Sequence, residues 1–166
     1  MSAPSTIWYL EMTDRAQLRP APSAGPGARI FRHEPASAEL NRRLYEAIGH
    51  DWAWTDRLGW DTTRWRSHVE AVETWLLALD GAEAGYAELV PAGTDVEIAS
   101  FGLLPAYRGR GLGGALLTAA TRRGFELGSR VWLHTCSEDA PAALPNYERR
   151  GFRVFDTRTV QAEAPA

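Results

Sequence analysis

The chain has a single cysteine, Cys136, in 166 residues, so it cannot form an internal disulfide. It has no basic excess: 18 Lys+Arg against 21 Asp+Glu give a net charge of −3. A nucleic-acid binder needs a basic stripe to neutralise phosphates, and this balance argues against that class. A mildly acidic surface suits a cationic partner such as an amine. No apolar run approaches the roughly 18 residues of a membrane span. The N-terminus lacks a basic segment followed by an apolar core, so it does not read as a signal peptide, and a cytoplasmic location is expected. There are no internal repeats. What remains is 45% apolar and 23% charged, at a length that suits one domain with a sizeable core.

Residues 1–18 contain one apolar stretch, Ile7-Trp8-Tyr9-Leu10, which reads as an extra edge strand. Residues 19–28 carry too much proline and glycine for a helix or a central strand and read as a linker. Together, 1–28 form an N-terminal extension to a domain over 29–160, followed by a flexible tail at 161–166. Within the domain, Arg29–Glu34 reads as a strand. Ser37 suits the N-cap of a helix with Leu40, Leu44 and Ile48 on one face and Gly49 past its end. Asp61 suits the cap of a second helix that turns Trp65, Val69 and Val72 inward. Strands follow over Thr74–Leu79 and Gly85–Val90, joined by the hairpin signal Asp80-Gly81, and over Val96–Leu103. Apolar residues spaced by three and four predict a helix over Gly111–Leu127, ended by Gly128. A strand over Val131–Cys136, a short helix leading to Gly151 and a strand over Phe152–Val160 complete the chain. The expected fold is α/β (α+β), a mixed and mostly antiparallel sheet with helices on both faces, in the order β-α-α-β-β-β-α-β-α-β.

The most informative segment is Tyr107-Arg108-Gly109-Arg110-Gly111-Leu112-Gly113-Gly114, between a strand and a helix. Glycines let backbone N–H groups crowd around an anion, and the helix start adds unpaired donors and a positive dipole end. Arg108 and Arg110 add charge. One reading is a pyrophosphate cradle and another a plain glycine turn. Gly109, Gly111 and Gly114 also satisfy G-x-G-x-x-G. That dinucleotide fingerprint should open the first βαβ unit, however, and the next strand has no acidic residue to hold a ribose. A P-loop is excluded because no G-K-[ST] follows.

The flanks separate these readings. Arg108-Gly109-Arg110-Gly111-Leu112-Gly113 resembles the R/Q-x-x-G-x-G/A loop of the GNAT acetyltransferase superfamily, and Phe101-Gly102-Leu103-Leu104-Pro105 resembles the strand that runs into it. About 35 residues later, Asn146-Tyr147-Glu148-Arg149-Arg150-Gly151-Phe152 is similar to the family's Tyr-x-x-x-Gly-Phe element. The resemblance implies an N-acetyltransferase that takes acetyl-CoA as co-substrate and uses no metal. It implies that the acetyl-CoA pyrophosphate lies on the amides of Gly109 through Gly114. The pantetheine arm would pair with Phe101, Gly102 and Leu103 like an added strand, which requires Val96–Leu103 and Val131–Cys136 to splay apart. Tyr147 matches the general-acid tyrosine near the thioester sulfur. Glu97 matches a position where many members carry a general-base glutamate, and His134 is the alternative base. Where many members carry an asparagine seven residues before the tyrosine, this chain has Ala140. Asn146, next to Tyr147, is taken as a cofactor ligand instead. Pro145 should kink or delay the helix that carries Tyr147.

On the acceptor side, the region from Tyr45 to Trp65 holds Trp52, Trp54, Trp60 and Trp65 with Asp51, Asp56 and Asp61. Aromatic faces beside carboxylates suit a cationic or aromatic amine, and Trp52, Trp54, Trp60 and Asp56 are the candidate acceptor contacts. Core filling is the competing reading for the tryptophans. The expected partner is a small-molecule amine, with neither nucleic acid nor membrane, and a homodimer is left open. A catalytically silent acyl-CoA-binding or sensing domain, or an enzyme using another acyl-CoA, stays open as well.

Overall fold

The computed structural model describes residues 3–161. Among the described residues, seven strands form one sheet in the order β2-β3-β4-β5-β6-β1-β7. Along the chain they are β1 (Ser5–Met12), β2 (Ala28–Arg32), β3 (Glu73–Leu79), β4 (Ala82–Ala92), β5 (Asp95–Leu103), β6 (Arg130–Cys136) and β7 (Arg153–Val160). The helices are α1 (Ala38–Gly49), α2 (Thr62–Ala71), α3 (Leu112–Leu127) and α4 (Ala143–Arg149). Every neighbouring pair is antiparallel except β5–β6, which is parallel and therefore needs the long crossover that α3 provides.

Local signals account for most of these elements. The Ser37 hydroxyl accepts a hydrogen bond from Leu40 N–H and starts α1. The Asp61 carboxylate accepts one from Arg64 N–H and starts α2. Asp80 and Gly81 both take positive φ, 50° and 83°, the left-handed pair that closes a two-residue hairpin. Pro145 lies in the first turn of α4, where its missing N–H would have had no helical partner, so the helix starts late and does not kink.

Alternation along β3 and β4 divides the core between the two faces of the sheet. On one face, Leu77, Ala87 and Leu89 meet Leu112, Leu116 and Leu117 of α3, with Tyr147 and Phe152 closing the cluster. On the other, Leu76 and Tyr86 pack against Leu40, Leu44 and Ile48 of α1.

β1 departs from the sequence reading. It was expected at an edge, yet it lies between β6 and β7 and is hydrogen-bonded to both. Leu10 and Met12 are fully buried in the main core. The reason is physical: an alternating strand with one apolar face contributes more inside a sheet than at its rim, and β7, exposed on both faces, takes the edge instead. The expected tail reaches beyond Gln161 into residues 162–166, which lie outside the described residues. No described helix is long and apolar enough to cross a membrane.

Candidate active site

β5 and β6 form a fork. They pair only over Asp95–Glu97 with Arg130–Trp132. Arg130 locks the closed end, donating to Glu11 of β1 at 2.7 Å and to Asp95 of β5 at 3.3 Å. Beyond Glu97, the ladder between β4 and β5 slips at Ala99, since Glu88 faces Ser100 while Leu89 faces Ile98. A bulge bends and twists the strand that carries it, and from that point β5 leaves β6. Phe101, Gly102 and Leu103 still pair with Ala87, Tyr86 and Gly85 on one side, and their other edge has no strand partner among the described residues. An unpaired edge is a row of N–H and C=O groups ready for an extended ligand.

The glycine loop lies at the open end. Gly109 and Gly111 sit at φ 74° and 78°, in the left-handed region that favours glycine, and no atom crowds the space where their side chains would be. Gly111 is the N-cap of α3 and, having no side chain, leaves the first N–H groups of a 16-residue helix without a cap. The amides of Gly111, Leu112, Gly113 and Gly114 are thus available to an anion, while the Leu112 side chain is buried in the core. Asn146 reaches the same place: a Cβ on Gly113 would lie 3.7 Å from its Nδ2.

Arg108 does not face this cradle. Its guanidinium donates to the carbonyls of Leu103 (3.1 Å) and Ile48 (3.4 Å) and to the Asp51 carboxylate (2.8 Å), and it lies over the Trp52 ring. These acceptors satisfy it, so the expected charge of Arg108 is used to tie the α1–α2 loop to the end of β5. Arg110 is exposed and leans over Tyr107.

Tyr147 stands beside the free edge of β5, with ring centroids 5.9 Å from Phe101 and 6.4 Å from Phe152. Burial pushes its phenol well above the usual tyrosine range, and the nearby Asp139 carboxylate adds to the shift. Glu97 is the last paired residue of the fork. The structure brings it to His134, with Nε2 and Oε2 3.9 Å apart. Burial raises the Glu97 carboxyl above its ordinary value, opposed by the charges of His134 and Arg57. The two candidate bases, chosen separately from two strands, thus form one half-exposed pair.

The Trp52–Trp65 segment is organised around a residue that the sequence reading missed. Arg57 inserts its guanidinium among the rings of Tyr45, Trp60 and Trp65, at 5.3, 5.0 and 5.7 Å from their centroids. It donates to Glu88 at 2.7 Å, and His68 and Asn41 also reach that carboxylate, at 3.1 and 2.7 Å. Glu88 is fully buried. Burial alone would raise its pKa, but the bonds from His68 and Asn41 and the Arg57 charge outweigh it and hold the carboxyl below its ordinary value. A signal for this network was present: Glu88 interrupts the otherwise apolar run Gly85–Val90. Asp51 holds Arg108, Asp61 caps α2, and Asp56 is exposed. Trp52, Trp54 and Trp60 are each half-buried, and Trp54 approaches the fork, 3.3 Å from where a Cβ on Gly102 would lie.

The model of the "Acetyltransferase (GNAT) family" matches residues 37–152. A mycothiol acetyltransferase of Corynebacterium aurimucosum is 29% identical over 95% of this chain and 59% of its own length. An uncharacterised N-acetyltransferase of Mycobacterium bovis is 34% identical over 51% of this chain and 55% of its own. A GCN5-related N-acetyltransferase from Kribbella flavida superimposes with a TM-score of 0.65 at 25% identity, covering 95% of this chain and 58% of that structure. These matches therefore cover less than two-thirds of each relative's own length. The glycine loop at the start of α3, the fork beside it and the extent of the family match lead to one conclusion: the chain belongs to the GNAT acetyltransferase family.

Proposed function

We propose that this chain transfers an acetyl group from acetyl-CoA to a primary amine of a small cationic or aromatic acceptor by direct attack in a ternary complex. The observation that carries the reading is the fork, which has a buried phenol on one side and a carboxylate–imidazole pair at its apex. The residues fit the co-substrate, since an uncapped helix start and two glycines at positive φ offer amides to a pyrophosphate and the free edge of β5 suits an extended arm. Gly109 through Gly114 and Asn146 would hold the phosphates, and Phe101, Gly102 and Leu103 the arm. Bound there, acetyl-CoA supplies an activated acetyl group and a thiol leaving group.

The protein then has two protons to manage. Glu97, raised by burial and therefore a stronger base than an exposed carboxylate, accepts one from the amine, with His134 able to relay it. Tyr147, held protonated at every working pH, donates a hydrogen bond to the departing sulfur. Because its phenol is a weaker acid than a thiol of pKa about 8.5, it stabilises the thiolate more than it transfers a full proton. Holding both reactants in one fork supplies much of the rate. Trp54, whose ring lies against Gly102 of β5, is the tryptophan taken as the acceptor contact. Trp52 and Trp60 are engaged by Arg108 and Arg57.

The test is thiol release from acetyl-CoA across a panel of small primary amines. Tyr147→Phe lowers kcat by roughly 10²-fold while CoA affinity stays near that of the wild type. An unchanged kcat assigns Tyr147 to packing alone. CoA binding without turnover on any amine favours a silent acyl-CoA-binding domain.

A further inference from the structure

Of the two cations the sequence assigned to the proposed cradle, Arg108 is spent elsewhere and Arg110 lies exposed over Tyr107. Another guanidinium lies at the same helix end. A Cβ on Gly114, in the first turn of α3, would sit 3.5 Å from Arg150 Nη1 and 3.8 Å from Asn146 Oδ1. Arg150 Nε is buried and has no hydrogen-bond partner, and among the described residues the side chain makes no ion pair. In the protein alone this placement is unfavourable. A half-buried guanidinium, its Nε buried and unpaired, stands beside the positive end of a helix whose own N–H groups are uncapped. An anion between them would relieve both.

The backbone that presents Arg150 is fixed by the N-terminal segment. Arg150 carbonyl accepts from Arg19 N–H at 2.8 Å. Gly151, at φ 106°, packs against the Gln17 carbonyl so closely that no side chain fits there. Ala21 N–H donates to Thr118 on α3 at 3.0 Å, binding the same segment to the helix. Residues 17–21 therefore clamp α4 to the start of α3 and aim Arg150 at it.

We infer that Arg150 is a phosphate ligand of the acetyl-CoA site, supplying the cation that Arg108 withholds; this rests on the acetyl-CoA reading above. Charge-assisted bonds to phosphate are among the stronger hydrogen bonds.

The experiment is calorimetry of wild type, Arg150→Gln and Arg150→Lys with CoA and with 3′-dephospho-CoA, beside the melting temperature of each ligand-free protein. Arg150→Gln binds CoA roughly tenfold or more weakly, Arg150→Lys falls between, and the ligand-free melting temperature stays level or rises because the unpaired cation is gone. Equal losses on both probes place the contact on the pyrophosphate, whereas a loss confined to CoA places it on the 3′-phosphate. Wild-type affinity in Arg150→Gln overturns the inference, as does weakened affinity accompanied by a lower ligand-free melting temperature in both variants, which marks a packing role. If the wild type itself binds no CoA, the acetyl-CoA reading falls first.

Discussion

The two sides of the fork are built from different materials. The side proposed for the cofactor is backbone: glycines at positive φ, an uncapped helix start and a free strand edge, all presenting N–H and C=O groups with little side-chain chemistry. The side proposed for the acceptor is side chain: Tyr45, Trp60 and Trp65 with Arg57, His68 and Glu88, packed so that the protein's own guanidinium fills the aromatic box. A site made of backbone keeps its donors open, because a glycine N-cap has no side chain with which to cap them. A site made of aromatic and acidic side chains attracts whichever cation is nearest, and here Arg57 is nearest. Resemblance to a cation pocket in sequence therefore says less about a ligand than a glycine loop does.

The contrast can be broken most forcefully at Glu88. Glu88→Ala removes the carboxylate that neutralises Arg57 and His68 inside the fold, and breaking a buried pair costs about 3–5 kcal/mol. The melting temperature should fall steeply, with CoA affinity of the folded protein little changed. Because the folded pKa of Glu88 is depressed, its contribution is complete above the ordinary carboxylate value and is lost as pH falls through the lower folded value. Acid titration of wild type against Glu88→Gln reads this directly. A Glu88→Ala protein as stable as wild type would remove the account of the acceptor side as a self-filled box.

The cofactor side should respond in the opposite way. Gly111→Val places a β-branched residue at φ 78°, a backbone strain of about 1–3 kcal/mol with no steric clash to add to it. Stability falls modestly. CoA affinity falls by roughly 10²-fold, since the first amides of α3 lose their aim. Calorimetry beside thermal melting separates the two effects. Full affinity in the variant would mean that the amides are not the ligand.

The smallest effect lies at the apex, where the two sides meet. Glu97→Gln should lower kcat/KM by roughly tenfold, short of the full range for acid–base catalysis because His134 stands beside it. If Glu97 is the base, the wild-type profile should have its acid limb above the ordinary carboxylate pKa, as burial raises Glu97, with activity rising as pH passes through that value. His134→Gln removes a charge that lowers the Glu97 pKa and moves the limb further up. If both variants keep the wild-type profile, neither residue is the base.

The chain determined by itself whatever rests on near neighbours. Ser37 and Asp61 cap helices within three residues of themselves, Asp80-Gly81 closes its own hairpin, and the glycines of 109–114 impose the loop conformation locally. These constraints survive in a bare sequence because their energy depends on φ, ψ and one or two adjacent groups. Only the tertiary structure decided that β1 enters the sheet between β6 and β7, strands more than 115 residues away in register. It also decided that Arg57 reaches Glu88 across 31 positions, that Glu97 and His134 form a pair, and that Arg108 turns to Asp51 and the Leu103 carbonyl while Arg150 lies beside the start of α3. A charged side chain goes where its desolvation is best compensated, and that depends on which distant acceptors the packed core brings within about 3 Å.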